Sequence, residues 1–308
     1  MNGQVSTGLG SNSLLQRRDW TWVSAGISHT CGVAGGEIIC WGLNHDGRGT
    51  APPLPLNEDP NQTELNLAWQ KVELGVAHTC GQTVSGVIRC WGNTLNQQDQ
   101  VPTHDDQSTI IDWQTWDSGG FHSCGIRSDH SLLCWGGNGY QQSRVPSLAH
   151  HEGDWSMVST GFDHSCGLSS TGTVKCWGGL ANLTSAIPAI PDDTSWWYIS
   201  SGRQFSCGIY GEGQLLCWGF DTYGQLSPPD QAPTTGWLWV SAGGYHTCAY
   251  HDSDQLWCWG RNDHGETTIP LQWQLRHAQP ADNCPQVSNP EQVDTNLNGR
   301  GDVCDSLP

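Results

Sequence analysis

The residues of this chain that are most able to do chemistry are its cysteines and histidines, and they occur close together. In the stretch HTCGVAGGEIICWG, residues 29–42, a histidine stands two positions before one cysteine, and a second cysteine follows nine positions later. Such a pattern could hold a metal ion, supply a reactive thiolate or form a disulfide bond. The chain has fourteen cysteines, an even number, and no two of them form a C-x-x-C pair. The even count and regular spacing favour disulfide bonds in an oxidising compartment.

The stretch is one of six copies of a repeat whose period shortens from about 49 to about 41 residues along the chain. Every copy has a second cysteine followed by Trp-Gly, a tryptophan eleven residues before its first cysteine and a glycine five residues before it. Five copies also have a histidine two residues before the first cysteine, and the fifth copy has Phe205 there. A repeat of this length is typical of a β-propeller blade.

Each copy reads as three short strands, of which the last two form a hairpin. In copy one, pairing Cys31 with Cys40 leaves Gly35 and Gly36 as a two-residue turn, which suits the primed turn types. The other copies have one more residue between their cysteines, which predicts a three-residue loop whose last member has positive φ. That position holds residues that tolerate a positive φ better than most, namely Gly86, His130, Gly172, Gly213 and Asp254.

The hairpin register makes the two cysteines of each copy cross-strand neighbours, so we predict one disulfide per blade. The predicted pairs are Cys31–Cys40, Cys80–Cys90, Cys124–Cys134, Cys166–Cys176, Cys207–Cys217 and Cys248–Cys258. The same register places Trp41 diagonally across from Gly32, and we expect the small residue after each first cysteine to make room for this indole. Cysteines and tryptophan then lie on opposite faces of the hairpin.

The histidines are expected to be structural, with their rings hydrogen-bonded to backbone groups. Zinc is disfavoured because cysteines nine or ten residues apart do not match its usual ligand spacing, and copy five keeps both cysteines without the histidine. No hydrolase, metalloprotease or phosphate-loop motif is present, and the recurring Trp, Gly and Cys residues are architectural. We therefore predict a protein that is not an enzyme. A lyase or glycan-cleaving activity built from non-repeated loop residues is the enzymatic alternative.

The composition limits the partners. Thirty acidic residues against twelve basic ones give a formal charge of −18, which repels nucleic acid and anionic lipid. No apolar run approaches the 18 residues needed to span a membrane. The first twenty residues lack the apolar stretch of a secretion signal, so we expect a signal that lies outside this numbering.

The pattern W-x-x-V-S-A-G-x-x-H-T-C…C-W-G-x-N-x-x-G resembles the RCC1 repeat, the unit of regulator-of-chromosome-condensation-type propellers. WGLNHDGRG, WGFDTYGQL and WGRNDHGET carry the end of that motif most clearly. The resemblance implies an all-β propeller of six blades over residues 20–278, after an N-terminal segment of residues 1–19. The familiar ring of this family has seven blades. TIPLQWQL, which contains Trp273, resembles the opening strand of a further unit, so seven blades is the alternative.

Residues 279–308 form a different motif. DNCPQVSNPEQVDTNLNGRGDVCD, residues 282–305, resembles a thrombospondin type 3 repeat, and its second half also matches a twelve-residue calcium loop, with oxygen ligands at alternate positions and a glycine at the turn. We predict weak Ca²⁺ binding, and Cys284 and Cys304 would clamp the loop. The predicted ligands are Asp294, Asn296, Asn298, the carbonyl of Arg300, Asp302 and Asp305.

Function in a repeat ring is expected where the copies differ. Five residues after each Cys-Trp-Gly tryptophan the frame is constant but the residue changes, and we predict a contact surface on one rim formed by Asp46, Asn96, Tyr140, Asn182, Tyr223 and His264. Five additional tryptophans, expected mainly in the core although stacking on sugars is the alternative, are Trp22, Trp116, Trp197, Trp239 and Trp257.

The sequence therefore predicts an extracellular or cell-surface protein that binds a protein partner through its rim loops and carries a calcium-stabilised tail. A multivalent lectin is the alternative, with a glycan as the ligand. The nuclear nucleotide-exchange role of the RCC1 family is disfavoured by the acidic charge and by the predicted disulfides. The sequence does not define the oligomeric state.

Overall fold

In the computed structural model, the part of the chain that can be described comprises residues 19–44, 46–54, 68–104, 107–149, 153–180 and 186–269. It contains six three-stranded antiparallel sheets, one per repeat, and each sheet is a simple meander. This confirms the predicted all-β propeller with six blades. Residues 270–308, with Trp273 and the predicted calcium loop, lie outside the described residues.

The blades follow the chain in order. Blade one contains β1 (Trp20–Ala25), β2 (His29–Ala34) and β3 (Glu37–Gly42); blade two β4 (Trp69–Leu74), β5 (His78–Thr83) and β6 (Ile88–Gly92); blade three β7 (Trp113–Ser118), β8 (His122–Arg127) and β9 (Leu132–Gly136). Blade four contains β10 (Trp155–Thr160), β11 (His164–Ser169) and β12 (Val174–Gly178); blade five β13 (Trp196–Ser201), β14 (Phe205–Tyr210) and β15 (Gln214–Gly219); blade six β16 (Trp237–Ala242), β17 (His246–His251) and β18 (Gln255–Gly260).

The hairpins have the predicted register. Cys31 lies opposite Cys40 and Ala34 opposite Glu37, which leaves Gly35 and Gly36 as the turn, both with positive φ. In the five other blades the last loop residue is left-handed as predicted, at Gly86, His130, Gly172, Gly213 and Asp254. All six predicted disulfides are formed, and the described residues contain no free cysteine.

The space beside the small residue that follows the first cysteine is filled by a different tryptophan from the one predicted from the sequence. A Cβ atom at Gly32 would lie 2.5 Å from the ring of Trp20, the tryptophan of the first strand. The first-strand tryptophan takes the same place beside Gly81, Gly125, Gly167 and Gly208. The prediction that Trp41 fills this space was wrong, because β1 pairs beside β2 and a register shift after Trp20 brings the indole of Trp20 over the glycine. The two indoles instead pack against each other, with ring centroids 6.0 Å apart in blade one.

Successive blades pack disulfide face against tryptophan face. In the core between blades four and five, Cys166 and Leu168 pack with Trp196 and Trp218, and four further cores of the same kind join the other consecutive blades. In blades two to six, the tryptophan of the Cys-Trp-Gly motif is at most 9 % exposed, whereas its counterpart in blade one, Trp41, is 43 % exposed. Within the described residues, the tryptophan face of blade one therefore has no blade packed over it.

The first strand of each blade is followed by the repeated glycine, and these six glycines surround the centre of the ring. We call them the glycine chain. A Cβ atom at Gly26 would approach the carbonyl oxygen of Gly75, and the same relation links Gly75 to Gly119, Gly119 to Gly161, Gly161 to Gly202 and Gly202 to Gly243, at 2.2–2.7 Å. The backbones of neighbouring blades therefore approach more closely here than any side chain would allow. This explains why the glycine recurs in every copy.

We expect Gly161→Ala to lower the free energy of unfolding by at least about 1–3 kcal/mol, as overpacking a tight site does. The added methyl group would lie 2.3 Å from Cε1 of His164 and 2.5 Å from the carbonyl oxygen of Gly202. Gly244→Ala is the matched control, because a Cβ atom there meets nothing within 4 Å. Urea unfolding of both variants tests this expectation, and equal midpoints would contradict it.

No helix in the described part of the chain is long and apolar enough to cross a membrane.

Candidate binding face

Two sets of loops meet at one end of the ring, and together we call them the loop face. One set joins the first and second strands of each blade, and the other follows each Cys-Trp-Gly. They lie side by side because the antiparallel meander returns the third strand to the end where the second begins. Backbone hydrogen bonds hold the two sets together, as from Gly137 N to Phe121 O (2.7 Å) and from Arg261 N to Tyr245 O (2.9 Å).

A cavity of about 520 Å³ opens at the centre of this face. Its wall contains the glycine chain and residues beside it from all six blades, including Ile27, Val76, Phe162, Arg203, Tyr245 and Glu266. Concave sites with mostly apolar walls and a few polar groups are where ligands usually bind. The first-strand turns therefore form the inner part of the loop face.

The predicted rim residues lie on the outer loops of the same face. Tyr140 and Tyr223 are 53 % and 44 % exposed, Asn96 and His264 are exposed, and Asp46 is half-buried. Asp46 forms an ion pair with the buried Arg48. Asn182 lies outside the described residues. Five of the six predicted rim residues therefore lie on one face of the ring. Their role in binding stays a prediction.

The backbone beneath the rim residues is fixed by a side chain two positions further on. The buried side chain of Gln142 accepts a hydrogen bond from the Tyr140 N–H at 2.8 Å, and Gln225 does the same for Tyr223. Gln98 and Glu266 repeat the arrangement under Asn96 and His264. The frame holds these four loops alike, so their exposed side chain can differ without altering the loop.

Four aromatic rings and two arginines form a continuous row across blades three to six. Phe121 packs edge to face on Phe162 with centroids 5.3 Å apart, and Tyr245 packs in the same way on Tyr223 at 5.2 Å. The guanidinium of Arg203 lies between the two pairs. We call this set the aromatic–arginine row, and its members are Phe121, Phe162, Arg203, Tyr245, Arg261 and Tyr223.

Sequence reasoning missed most of this row. Phe162, Arg203 and Tyr245 lie one or two positions after the repeated glycine, where the residue changes from copy to copy as it does at the rim. The same alignment of copies that identified the rim therefore contained the signal. The pattern WVSAG-x-x-H predicts a turn at these positions. Only the arrangement of the blades in the ring shows that this turn lies beside the rim loops.

The repeated histidines link neighbouring blades. Nε2 of His164 lies 2.8 Å from the hydroxyl of Ser206 in the next blade. His29, His78 and His122 reach Thr79, Ser123 and Ser165 in the same way, at 2.7–3.1 Å. The prediction that these rings bond to backbone groups was wrong, because each ring extends across the blade junction to a side-chain hydroxyl.

These hydroxyls define the protonation state of the histidines. The Ser165 hydroxyl donates to the Gln142 carbonyl, so Nε2 of His122 donates to Ser165. Nδ1 of His122 is buried and has no acceptor for a proton, so the ring is the neutral Nε2–H tautomer. Burial, with smaller contributions from His164 and His78, lowers the pKa of His122 to about 3. Burial likewise lowers the pKa of His164 to about 4.

No group of three or more His, Cys, Asp or Glu side chains arranged to hold a metal ion occurs within the described ranges. The predicted calcium ligands, from Asp294 to Asp305, lie outside them, as do Cys284 and Cys304. Calcium binding therefore stays a prediction.

The five additional tryptophans divide between core and surface. Trp116 is 2 % exposed, and its indole N–H donates to the side-chain oxygen of Gln82. Trp257 is half-buried and packs against the core between blades five and six. Trp22, Trp197 and Trp239 are 37–41 % exposed. The expectation that these tryptophans lie mainly in the core is correct for Trp116 and wrong for the three exposed ones.

Comparison with known proteins agrees with this fold. Four segments, residues 117–142, 158–179, 198–225 and 240–266, match the family model described as the regulator of chromosome condensation (RCC1) repeat. They fall on the third to sixth blades, so the chain carries RCC1 repeats and has an RCC1-like propeller fold. No curated protein sequence matches the chain.

Three solved structures show the same fold at low sequence identity. The ectodomain of the Arabidopsis thaliana receptor kinase ACR4 is 23 % identical, with a TM-score of 0.52 and 81 % of each chain covered. Yeast RCC1 (Prp20), in a structure with Kap60, is 16 % identical, with a TM-score of 0.60 and coverage of 80 % of this chain and 73 % of that one. The entire ectodomain of the Physcomitrella patens receptor kinase CR4 is 23 % identical, with a TM-score of 0.50; 77 % of this chain spans 61 % of its length.

Proposed function

We propose that this propeller acts outside the cell as a non-enzymatic binding protein whose loop face contacts a protein partner. The observation that carries the proposal is the loop face itself, where a repeated frame presents a different side chain on each blade. Tyrosine and arginine, the residues most enriched at the energetic centres of protein interfaces, lie half-exposed in its aromatic–arginine row.

The six disulfides support an extracellular location. Structural disulfides persist in oxidising compartments and are rare in the cytosol. Two of the similar structures are ectodomains of plant receptor kinases, which agrees with such a location for this fold. The identities are too low to transfer the partners of those proteins to this chain.

A protein partner is favoured over a glycan. A lectin with repeated sites needs the same recognition residues on each blade, but the rim residues differ. The exposed tryptophans do not repeat at one position either, since Trp22 and Trp239 lie two residues after the first-strand tryptophan and Trp197 lies one residue after it. Varied side chains on a constant frame suit one extended, asymmetric surface.

We expect the double variant Tyr140→Ser/Tyr223→Ser to lose at least tenfold in affinity for the partner, because it removes the two exposed aromatic rim residues. The measurement is cross-linking capture by the full chain from the medium of its source, followed by binding of the purified protein. Val84→Ser is the control, since Val84 is 50 % exposed on a hairpin turn at the opposite end of the ring. Equal binding by both variants, or selective binding to a glycan array, would overturn the proposal.

We also propose that residues 294–305 bind Ca²⁺ and stiffen the tail. The alternating Asp and Asn oxygens and Gly299 support this, and the presence of three carboxylates predicts a dissociation constant of about 10⁻⁴–10⁻³ M. Calorimetric titration of Ca²⁺ into the full chain measures it, with Asp294→Asn/Asp305→Asn as the comparison. Identical heats from both proteins would refute calcium binding at this loop.

A further inference from the structure

Arg203 is held in an unusual way at the mouth of the central cavity. It lies in the turn between β13 and β14, and its backbone N–H donates to the Gly243 carbonyl of the next blade at 3.2 Å. Its guanidinium carbon lies 4.9 Å from the ring centroid of Phe162 and 5.1 Å from that of Tyr245. Two rings on either side limit the rotation of the guanidinium and leave its N–H edge for hydrogen bonding.

The positive charge of Arg203 is not neutralised by an ion pair, unlike that of Arg261 or Arg127. Arg261 pairs with Asp263 at 2.7 Å, and Arg127 pairs with Asp112 at 3.1 Å. Within the described residues, the guanidinium of Arg203 forms neither an ion pair nor a hydrogen bond. Its N–H donors are therefore available to a carboxylate from outside the chain.

The surroundings of Arg203 leave space for an external group. Gly244 occupies the same turn position in blade six as Arg203 in blade five, and a Cβ atom there would meet nothing within 4 Å. The cavity wall is largely apolar, with Phe162 beside Arg203 and with Ile27 and Val76 on the first two blades. The acidic groups around Arg203 are Asp163, which is half-buried and feels its charge, and Glu266 on the neighbouring blade six.

We propose that Arg203 binds the carboxylate of a single aspartate or glutamate in a protein segment whose neighbouring residues are apolar. The guanidinium supplies two parallel N–H donors for the carboxylate, and the apolar cavity wall receives the adjacent side chain. The apolar wall favours a peptide over an acidic sugar, which presents hydroxyl groups. The net charge of −18 disfavours a polyacidic segment or a phosphate group, because long-range repulsion grows with the charge of the ligand. This inference rests on the proposed function and specifies the chemistry of its partner.

Selection of a random heptapeptide display library on the full chain tests the inference. We expect peptides selected by the wild-type protein to be enriched in one Asp or Glu beside apolar residues, and the same selection on Arg203→Gln to lose this enrichment. A selected peptide is then synthesised in two forms, with Asp and with Asn at that position. We expect the Asn form to bind at least tenfold more weakly than the Asp form. The same enrichment on both proteins would overturn the inference. So would separate binding assays in which the wild-type protein prefers phosphate or a uronic acid to the peptide.

Two variants at Gly244 separate loss of the site from loss of the fold. Gly244→Glu places a carboxylate beside Arg203 and is expected to block the peptide at least tenfold, whereas Gly244→Gln, of nearly the same size, is expected to retain most of the binding. Equal affinities of the two variants would contradict the proposed contact. If Tyr140→Ser/Tyr223→Ser abolishes capture of the natural partner but Arg203→Gln does not, the inference about Arg203 fails and the proposed function stands.

Discussion

Reduction of the six disulfides is expected to unfold the propeller at neutral pH and room temperature. Each bond closes a loop of about ten residues, which stabilises the native state by about 2.7 kcal/mol in the chain-entropy model. Whole domains are usually stable by about 5–15 kcal/mol, so the loss of all six bonds exceeds what the ring can tolerate. Circular dichroism with and without dithiothreitol measures the effect.

The contribution of one disulfide to the free energy of unfolding can be measured by removing a single cysteine pair. We expect Cys166→Ser/Cys176→Ser to lower the free energy of unfolding by about 3 kcal/mol, because this pair lies in the packed core between blades four and five. Treatment of the native protein with iodoacetamide without reductant is the control and should modify none of the twelve cysteines of the blades. A fully reduced protein that keeps its native spectrum would show that packing alone holds the ring.

Acid is expected to destabilise the propeller steeply between pH 6.5 and pH 4. Burial holds the pKa of His29, His78 and His164 at about 4 and that of His122 at about 3, below the ordinary value of 6.5. In this window the unfolded chain binds protons that the folded chain excludes, so stability is fully present above pH 6.5 and is lost as the pH falls. Together these four histidines contribute a slope of at most about 5 kcal/mol per pH unit.

The structure supplies a variant that isolates this effect. His164→Phe reproduces the natural arrangement of blade five, where Phe205 occupies the same place. We expect a cost of about 1 kcal/mol at pH 7 from the lost hydrogen bond to Ser206, and a histidine contribution to the slope about one quarter smaller in acid. Urea unfolding of both proteins at several pH values measures the two slopes, and the carboxylates that also titrate are common to both. Identical slopes would show that His164 does not link stability to pH.

The sequence determined the features that are local within one repeat. The cysteine pairs, the hairpin register and the left-handed residues at positions such as His130 and Asp254 follow from neighbours within about ten residues, where turn chemistry leaves few alternatives. The rim position was also predictable, because six aligned copies separate a constant frame from a changing residue. These features do not depend on how the blades are arranged around the ring.

Tertiary structure decided the contacts outside the hairpin, which join residues from twelve to about forty positions apart. Sequence spacing could not show that Trp20 rather than Trp41 covers Gly32, that His164 reaches the hydroxyl of Ser206, or that Phe162 and Tyr245 enclose Arg203. The first depends on the register shift in the pairing of β1 with β2, and the other two depend on the angle between adjacent blades. That angle is set by the glycine backbones packed at the centre of the ring, and it places side chains from three blades around one guanidinium.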